Sequence, residues 1–429
     1  MPTSCPSVGS STVPRLGPWH WLVFVVGVVP ALAYAFSPRI GDLELYFRSA
    51  RSLLAGATPN QDFRFEYPPY ALLWFVPAAW LRDTTDGFVR VFGLQLVVLD
   101  AFIKWALLHE GARLWGRAGR SMVPCIAYSV TTWVASVYYL KRYDLIPAAL
   151  TLAALLAVAR RRDLLAGLAL AVGVVTKLYP VVLVPLLVVI CWRRGTLGRL
   201  SLGLALGVAP LLALSTVWPW WGFASFHVNR GLQVESLPAS LVWAAHHLGW
   251  AQGVIWLKAP AAYELHGTVA ENAKALMRWL WVLGTLTATA LGAWAARHRP
   301  AEHVGELARL ALVPLLAFII LNPVLSPQFL TWVMALAALS LLSGSPTVPL
   351  LILAAGMMSR GTFIGQGYRV GAGGVQTLLI LTRNGVLLAA GFLLLREVWR
   401  ARVPRAREAG VEPVPGARAL SALPVARGS

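Results

Sequence analysis

Charged residues are scarce in this sequence, and their scarcity limits the class of protein it can encode. Only 13% of the 429 residues are Asp, Glu, Lys or Arg, while 58% are hydrophobic. Soluble domains carry roughly 25% charged residues. No long polar stretch interrupts the apolar runs between residues 19 and 395, so there is no room for a separate soluble domain. The composition predicts an integral membrane protein.

Cysteine pairs and familiar catalytic signatures are also missing. The three cysteines, Cys5, Cys125 and Cys191, are isolated from one another, which gives neither a metal-ligand spacing nor a disulfide framework. P-loop, HExxH and GxSxG patterns are absent, and no cytoplasmic domain is present for a soluble nucleotide-sugar site. We therefore expect no metal site and no resident cofactor.

Positive charge is abundant, with a net charge of +19, but it is not arranged as in a nucleic-acid-binding protein. The arginines lie in short clusters between apolar runs and not in a stripe with interleaved aromatic side chains. Membrane topology accounts for this pattern, because cytoplasmic loops collect Lys and Arg. We expect membrane lipids around the chain and no nucleic-acid partner.

Twelve apolar segments have the length and composition of candidate membrane spans. They cover residues 19–36, 87–109, 121–139, 145–159, 164–178, 179–192, 198–217, 275–295, 304–321, 328–342, 346–358 and 375–395. The segment 68–81 is also apolar, but it is short and contains three prolines. If it does not cross, the arginine clusters all lie in cytoplasmic loops. We therefore predict an all-α, polytopic transmembrane bundle in which residues 68–81 form a re-entrant or surface-lying helix.

This topology divides the chain into three parts. Residues 1–18 form a cytoplasmic N-terminal segment, and residues 19–398 form the polytopic membrane domain with an uncleaved first span. Residues 399–429 form a cytoplasmic tail rich in Pro, Ala and Arg, which we expect to be disordered. Both termini are cytoplasmic, so a functional site is expected in the longer loops on the external side.

A surface helix is predicted in the first external loop, over GDLELYFRSARSLLAG at residues 41–56. One face carries Leu43, Tyr46, Phe47, Ala50, Leu53 and Leu54, and the other carries Glu44, Arg48 and Arg51. This pattern is typical of a helix that lies on the membrane. Asp42 precedes it, either as the helix N-cap or as a carboxylate that accepts a proton at the water boundary.

Further polar candidates lie on the same external side. They are Arg64, Glu66 and Tyr67 before a double proline, Asp144 beside Lys141 and Arg142, Lys177 at the end of a span, His227, Arg230, Gln233 and Glu235 in HVNRGLQVES, and Gln328 after Pro327. A solvated loop, an exposed ion cluster, a snorkelling lysine or a helix cap would also explain them individually. Arg230 and Lys177 are suited to holding a phosphate. Within the spans, Asp100 and Lys104 lie four residues apart, which favours a structural ion pair.

Five stretches, taken in order and spacing, resemble glycosyltransferase family 87. They are GDLELYFRSARSLLAGATPN, FEYPPYALLWFVPAAW, AGLALAVGVVTKLYPVVLVPLL, FHVNRGLQVESLPASL and SPQFLTW, spread from residue 41 to residue 332. This family comprises polyprenol-phosphate-mannose-dependent mannosyltransferases of the C-type membrane glycosyltransferase (GT-C) superfamily. The resemblance implies a many-helix membrane fold whose first external loop holds two membrane-parallel helices.

The resemblance also implies an activity and a set of site residues. A hexose, mannose in this family, would pass with inversion from a polyprenyl-phosphate donor to a hydroxyl of a glycolipid or polysaccharide, outside the bacterial cytoplasmic membrane. Asp42 would correspond to the catalytic carboxylate, although Leu43 separates it from Glu44 where many relatives have paired acids. Substrate binding would fall to Lys177, His227, Arg230, Glu235, Tyr67, Arg64, Gln328 and Asp144. Some relatives use a divalent cation.

Two other classes of function fit the composition. A transporter or lipid flippase would line a path with Asp100, Lys104 and Lys177, but it predicts inverted repeats and several deeply buried charges. A non-catalytic scaffold would not explain why the polar residues gather on one side. The sequence favours the transferase.

Overall fold

The computed structural model describes residues 15–37, 42–219, 222–224, 230–258, 263–298, 303–364 and 374–400. These ranges form a helical assembly with one small sheet. The helices are α1 (Pro18–Ala35), α2 (Leu43–Leu54), α3 (Pro69–Leu81), α4 (Thr85–Trp115), α5 (Val123–Val134), α6 (Ser136–Tyr139), α7 (Leu145–Ala159), α8 (Asp163–Thr176), α9 (Val184–Arg193), α10 (Leu197–Leu214), α11 (Leu237–His247), α12 (Thr268–His298), α13 (Val304–Ile320), α14 (Thr331–Ser340), α15 (Thr347–Ile364) and α16 (Gly374–Arg400). Single 3₁₀ turns occupy Gly119–Met122, Tyr179–Leu183 and Pro327–Leu330.

The apolar segments of the sequence all fall on helical stretches of the described chain. Within these ranges, five helices are both long and apolar enough to cross a bilayer, namely α1, α4, α10, α12 and α16. Shorter apolar helices include Leu145–Ala159, Asp163–Thr176, Tyr179–Arg193 and Pro327–Ser340. The chain is therefore an α-helical membrane protein, as predicted, while the number of spans stays a prediction.

Small residues let helices α8 and α10 pack backbone to backbone. A Cβ atom on Gly203 would overlap the carbonyl oxygen of Leu164, and one on Gly167 would overlap that of Leu200. Close approach of this kind is how helices associate in lipid, where no hydrophobic driving force acts between them. The contact fixes α8, and Lys177 follows directly at its C-terminal end.

A buried ion pair joins helices α1, α4 and α6. Lys104 Nζ lies 2.5 Å from Asp100 Oδ2 and donates to the Gly27 carbonyl at 2.7 Å. The Tyr139 hydroxyl donates to the other Asp100 oxygen at 3.0 Å. Each charge thus has a partner in a region from which water is excluded, and the predicted structural pairing is confirmed.

The predicted amphipathic helix is α2, and its apolar face packs onto protein. Tyr46 is buried and stacks on Phe75 of α3 with ring centroids 4.4 Å apart, while Leu43 and Ala50 are also buried. Leu54 was placed on the buried face, but it is 41% exposed, because the helix ends there. Helix α3 covers α2, so the pair forms one unit. Its orientation in the membrane stays a prediction.

A three-stranded antiparallel sheet lies between α10 and α12, in the stretch between the predicted spans 198–217 and 275–295, where no strand was predicted. Strands β1 (Leu232–Gln233), β2 (Ile255–Lys258) and β3 (Tyr263–His266) pair in the order β1-β3-β2. Trp243 of α11 closes a small core over them. The all-α expectation is thus incomplete, because strands of two to four residues carry too little alternation to be recognised.

We predict that Gly203→Ala lowers the thermal stability of the detergent-purified protein, because its Cβ would push α8 away from α10. The matched control is Gly198→Ala, which lies on the same helix with open space around its Cβ. Stability is measured as the fraction of protein that remains monodisperse in size-exclusion chromatography after heating. Equal midpoints for the two variants would contradict the proposed packing.

Candidate functional site

Asp42 stands at the N-cap position of α2, but its side chain does not cap the helix within the described structure. The carboxylate forms an ion pair with Arg142, in the turn between α6 and α7. The Asp42 side chain is about one-third exposed (35%), so water and a substrate can reach it. Of the two roles left open by the sequence, capping is therefore wrong, and the carboxylate is directed at a charged partner.

Arg142 connects this pair to a second one. Burial lowers the pKa of the Arg142 guanidinium to about 10, and the nearby Asp144 carboxylate opposes that shift. The sequence indicates Lys141 and Arg142 as possible partners of Asp144. Instead, Lys141 donates to the carbonyl of Ser37 at 3.0 Å and closes the end of α1.

Asp144 pairs with Lys177, which the sequence placed 33 residues away. Lys177 Nζ lies 2.5 Å from Asp144 Oδ1, and the indole N–H of Trp332 donates to the same oxygen at 2.7 Å. Asp144 is fully buried, and Lys177 keeps 14% of its side chain exposed. Asp144 Oδ2 is buried with no hydrogen-bond partner among the described residues. The ion pair thus holds the Lys177 ammonium at the edge of the site, and Asp144 Oδ2 remains available as a hydrogen-bond acceptor.

Aromatic rings surround the Lys177 ammonium. Its Nζ lies 4.6 Å from the Tyr143 ring centroid, 5.2 Å from Trp332 and 5.7 Å from Phe329. Such rings stabilise a cation through their quadrupoles and hold it in one place. Lys177 is therefore a fixed cation and not a snorkelling one.

The segment before the double proline is folded against the same rings. Asn60 has a left-handed backbone conformation, with φ at +62°, and its side-chain oxygen accepts from the Phe65 N–H at 3.0 Å. The turn places Tyr67 against Tyr143, with ring centroids 4.8 Å apart. Glu66 lies close enough to Lys177 to interact electrostatically with it. Arg64 is exposed.

Arg230 approaches the same group from the segment just before β1. Burial lowers the pKa of its guanidinium, and the carboxylates of Glu264 and Glu66 oppose that shift. Its Nε is buried with no hydrogen-bond partner among the described residues. Gly231 permits the approach, since a Cβ there would overlap the Glu264 carboxylate. Ion pairs and electrostatic interactions therefore link six residues into what we call the charged cluster, namely Asp42, Glu66, Arg142, Asp144, Lys177 and Arg230.

Gln328 and Glu235, two further residues of the predicted binding site, have different surroundings. Gln328 is half-buried in the 3₁₀ turn before α14, and its side-chain oxygen has no hydrogen-bond partner in the part of the chain that the structure describes. Glu235 faces away into a buried network, in which Arg383 of α16 lies 3.7 Å from its carboxylate and also donates to its backbone carbonyl at 2.5 Å. The role of Glu235 in substrate binding stays a prediction. His227 lies outside the described residues.

Sequence reasoning missed Trp332, Glu264 and Arg383. Trp332 lies in the SPQFLTW stretch, and its stacking on Tyr179 at 4.1 Å could be found only in three dimensions. Arg383 lies in an apolar span, where a lone ionisable residue was the available signal. Among the described residues, no group of three or more His, Cys, Asp or Glu side chains is arranged to hold a metal ion.

The Asp144–Lys177 pair predicts a large coupling in a double-mutant cycle. Asp144→Asn and Lys177→Met should each lower the free energy of unfolding by about 3–5 kcal/mol, because each leaves a buried charge unpaired. The double variant should lose less than the sum. Unfolding is followed by circular dichroism as the mole fraction of denaturing detergent rises.

The control for this cycle is the exposed pair of Glu44 and Arg48 on α2. Its coupling should be about 0.5 kcal/mol or less, since water screens both charges. Additive losses for Asp144 and Lys177, as small as those of the control, would show that the two side chains do not stabilise one another.

A comparison with known protein families covers most of the residues described above. The model of Glycosyltransferase family 87 matches residues 65–327, which is more than half of the chain and includes Glu66, Asp144, Lys177 and Arg230. No curated protein sequence matches the chain. Asp42 lies outside the matched range. The chain belongs to Glycosyltransferase family 87.

Proposed function

We propose that this glycosyltransferase transfers a hexose, mannose by resemblance, from a polyprenyl-phosphate donor to a hydroxyl of a glycolipid or polysaccharide. Family membership supports glycosyl transfer, and it does not favour a transporter or flippase. The observation that carries the finer proposal is the cluster itself. The partly exposed carboxylate of Asp42 is paired with the cation of Arg142. The Asp144–Lys177 pair lies near Arg142 and adds a second cation. Transfer from a phosphate ester needs both kinds of group.

Asp42 is the proposed general base. Its carboxylate takes the proton of the acceptor hydroxyl while that oxygen attacks the anomeric carbon, and the bond from this carbon to the phosphate oxygen breaks. The sugar is transferred with inversion, and the phosphate leaves with the bonding electrons. One displacement suffices, so no covalent sugar–enzyme intermediate is required.

The cations are the proposed ligands of the departing phosphate. Arg142 is paired with Asp42, and a donor phosphate would compete for the same guanidinium. This exchange would release Asp42 for the acceptor when the donor is bound. Lys177 is held by Asp144 and the rings, and the buried Arg230 Nε lacks a partner among the described residues, so both can stabilise negative charge as it develops.

An apolar groove beside the cluster suits a prenyl chain. It has a volume of about 530 Å³ and is lined mainly by Tyr34, Ser37, Trp133, Ser136, Val137 and Arg360. Ser37 accepts a hydrogen bond from Lys141, the residue before Arg142, so one wall of the groove is joined to the turn that carries Arg142. Arg360 is exposed there and adds a positive charge for a phosphate.

The arginine distribution supports the proposed location. Under the positive-inside rule, the arginine clusters between the spans support cytoplasmic termini and a charged cluster on the outer face of a bacterial cytoplasmic membrane. A polyprenyl-phosphate donor fits this location, because nucleotide sugars are not supplied there. The acceptor would be lipid-linked or a growing glycan.

Asp42→Asn should reduce transfer by about 100-fold or more, because removing a general base costs about that factor. Transfer is measured in membranes given radiolabelled polyprenyl-phosphate mannose, as label in extracted glycolipid and polysaccharide. The matched control is Glu44→Gln, two residues away, whose carboxylate is exposed and paired with Arg48. Equal turnover by the Asp42 variant and the native chain would remove Asp42 from the mechanism.

Arg230→Gln should lower kcat/KM for the donor by about 10- to 100-fold, the size expected for loss of hydrogen bonds to a charged group. The control is Arg48→Gln, since Arg48 is exposed on the outer face of α2 and should leave kcat/KM unchanged. An equal loss from both variants would indicate a general effect of positive charge and not a phosphate ligand at Arg230.

A further inference from the structure

The loop between α11 and β3 carries a group of large apolar side chains that the protein does not cover. Trp250 is 81% exposed, Leu248 61%, Ile255 53% and Leu257 47%. We refer to these four residues as the apolar ledge. They have no part in the proposed transfer, so their role is independent of the sugar and of the donor.

The exposure of Trp250 is imposed by a rigid turn. Helix α11 ends at His247, and Gly249 follows in the left-handed region with φ at +77°. The Gly249 N–H bonds to the His246 carbonyl at 3.0 Å, and the Trp250 N–H bonds to the Ala245 carbonyl at 2.8 Å. These two bonds make up a Schellman motif. The indole is thus held outward by a defined helix end.

The other half of the ledge is the outer face of an edge strand. Strand β2 pairs only with β3 among the described strands, and its Ile255 and Leu257 alternate with Trp256. Trp256 turns inward to Trp243, with ring centroids 5.2 Å apart. Apolar residues on an open edge invite aggregation in water, and soluble proteins avoid them. The ledge therefore requires a non-aqueous neighbour.

The helix that follows the sheet, α12, indicates what that neighbour is. Helix α12 starts at Thr268, directly after β3, and exposes Leu276, Trp279, Leu283 and Leu286 at helical spacing. This stripe faces lipid, because α12 is one of the helices long and apolar enough to cross the bilayer. Thr268 to Leu276 is about 12 Å along a helix. The sheet therefore sits beside the headgroup layer.

Charges on α12 agree with that depth. Lys274 pairs with Glu271 at 2.5 Å, and Arg278 lies one turn further along the helix. Ionised groups of this kind mark the level at which a span leaves the hydrocarbon, and Trp is enriched at the same level. Strand β3 pairs with the ledge strand β2 and leads into α12 at this boundary.

We propose that the apolar ledge is a lipid-binding surface, which inserts Leu248, Trp250, Ile255 and Leu257 into the interface of the membrane leaflet on the side of the charged cluster. Strand β1 begins two residues after Arg230, and β3 joins it to β2 in the sheet. The ledge would thus fix the height of the second external loop over the bilayer, independently of the spans.

The test measures the depth of nitroxide labels in the full chain, reconstituted in vesicles of phosphatidylethanolamine and phosphatidylglycerol. Cys5 is replaced by Ser, and the buried Cys125 and Cys191 are kept. Labels are attached to Trp250→Cys, Leu257→Cys and Ile255→Cys, so that the loss of one variant leaves two. Leu283→Cys serves as the lipid reference and the exposed Gln61→Cys as the water reference.

Collision rates with oxygen and with a water-soluble nickel chelate give the result. The proposal expects ledge labels to collide with oxygen several-fold more often than with nickel, as the Leu283 label does. Nickel collision as frequent as at Gln61 would overturn it. Spectral broadening that disappears on dilution with unlabelled protein would show that a second copy covers the ledge, and this would also overturn the lipid assignment.

Discussion

The charged cluster depends on one buried ion pair, between Asp144 and Lys177. Asp144 directly precedes α7, and Lys177 directly follows α8. Neither charge could remain buried without the other. Trp332 donates to the same carboxylate, so α14 is bound to the pair as well. Tyr143, which leans on Lys177, brings in the rings of α2 and α3. Three distant parts of the sequence therefore meet at one carboxylate.

Hydropathy was sufficient to predict the apolar helices, because each span must satisfy its own backbone hydrogen bonds in lipid. Helix α11, which lies between the predicted spans, was not among them. The amphipathic face of α2 and the Asp100–Lys104 pair were also predictable, since both depend on spacing along a single helix. Partners across the fold were not. Arg142 could be assigned to Asp144 by proximity in sequence, but its pairing with Asp42 depends on the path of the chain across 100 residues.

The second external loop was the least predictable region. Its strands are short, and its polar residues have partners that hydropathy treats as part of a span, such as Arg383 for Glu235. A residue in a polar cluster of the sequence can therefore belong either to the charged cluster, as Arg230 does, or to a structural network, as Glu235 does. Only the positions of β1 and α16 separate the two cases.

The pairing of Asp100 with Lys104 has a consequence for how the membrane domain is made. Both residues belong to α4, so this helix carries its own counter-ion and enters the bilayer without net charge at its centre. It need not wait for another segment to be synthesised. Lys177, in contrast, follows its partner by a full helical hairpin, so neither charge is compensated until α7 and α8 have packed against each other.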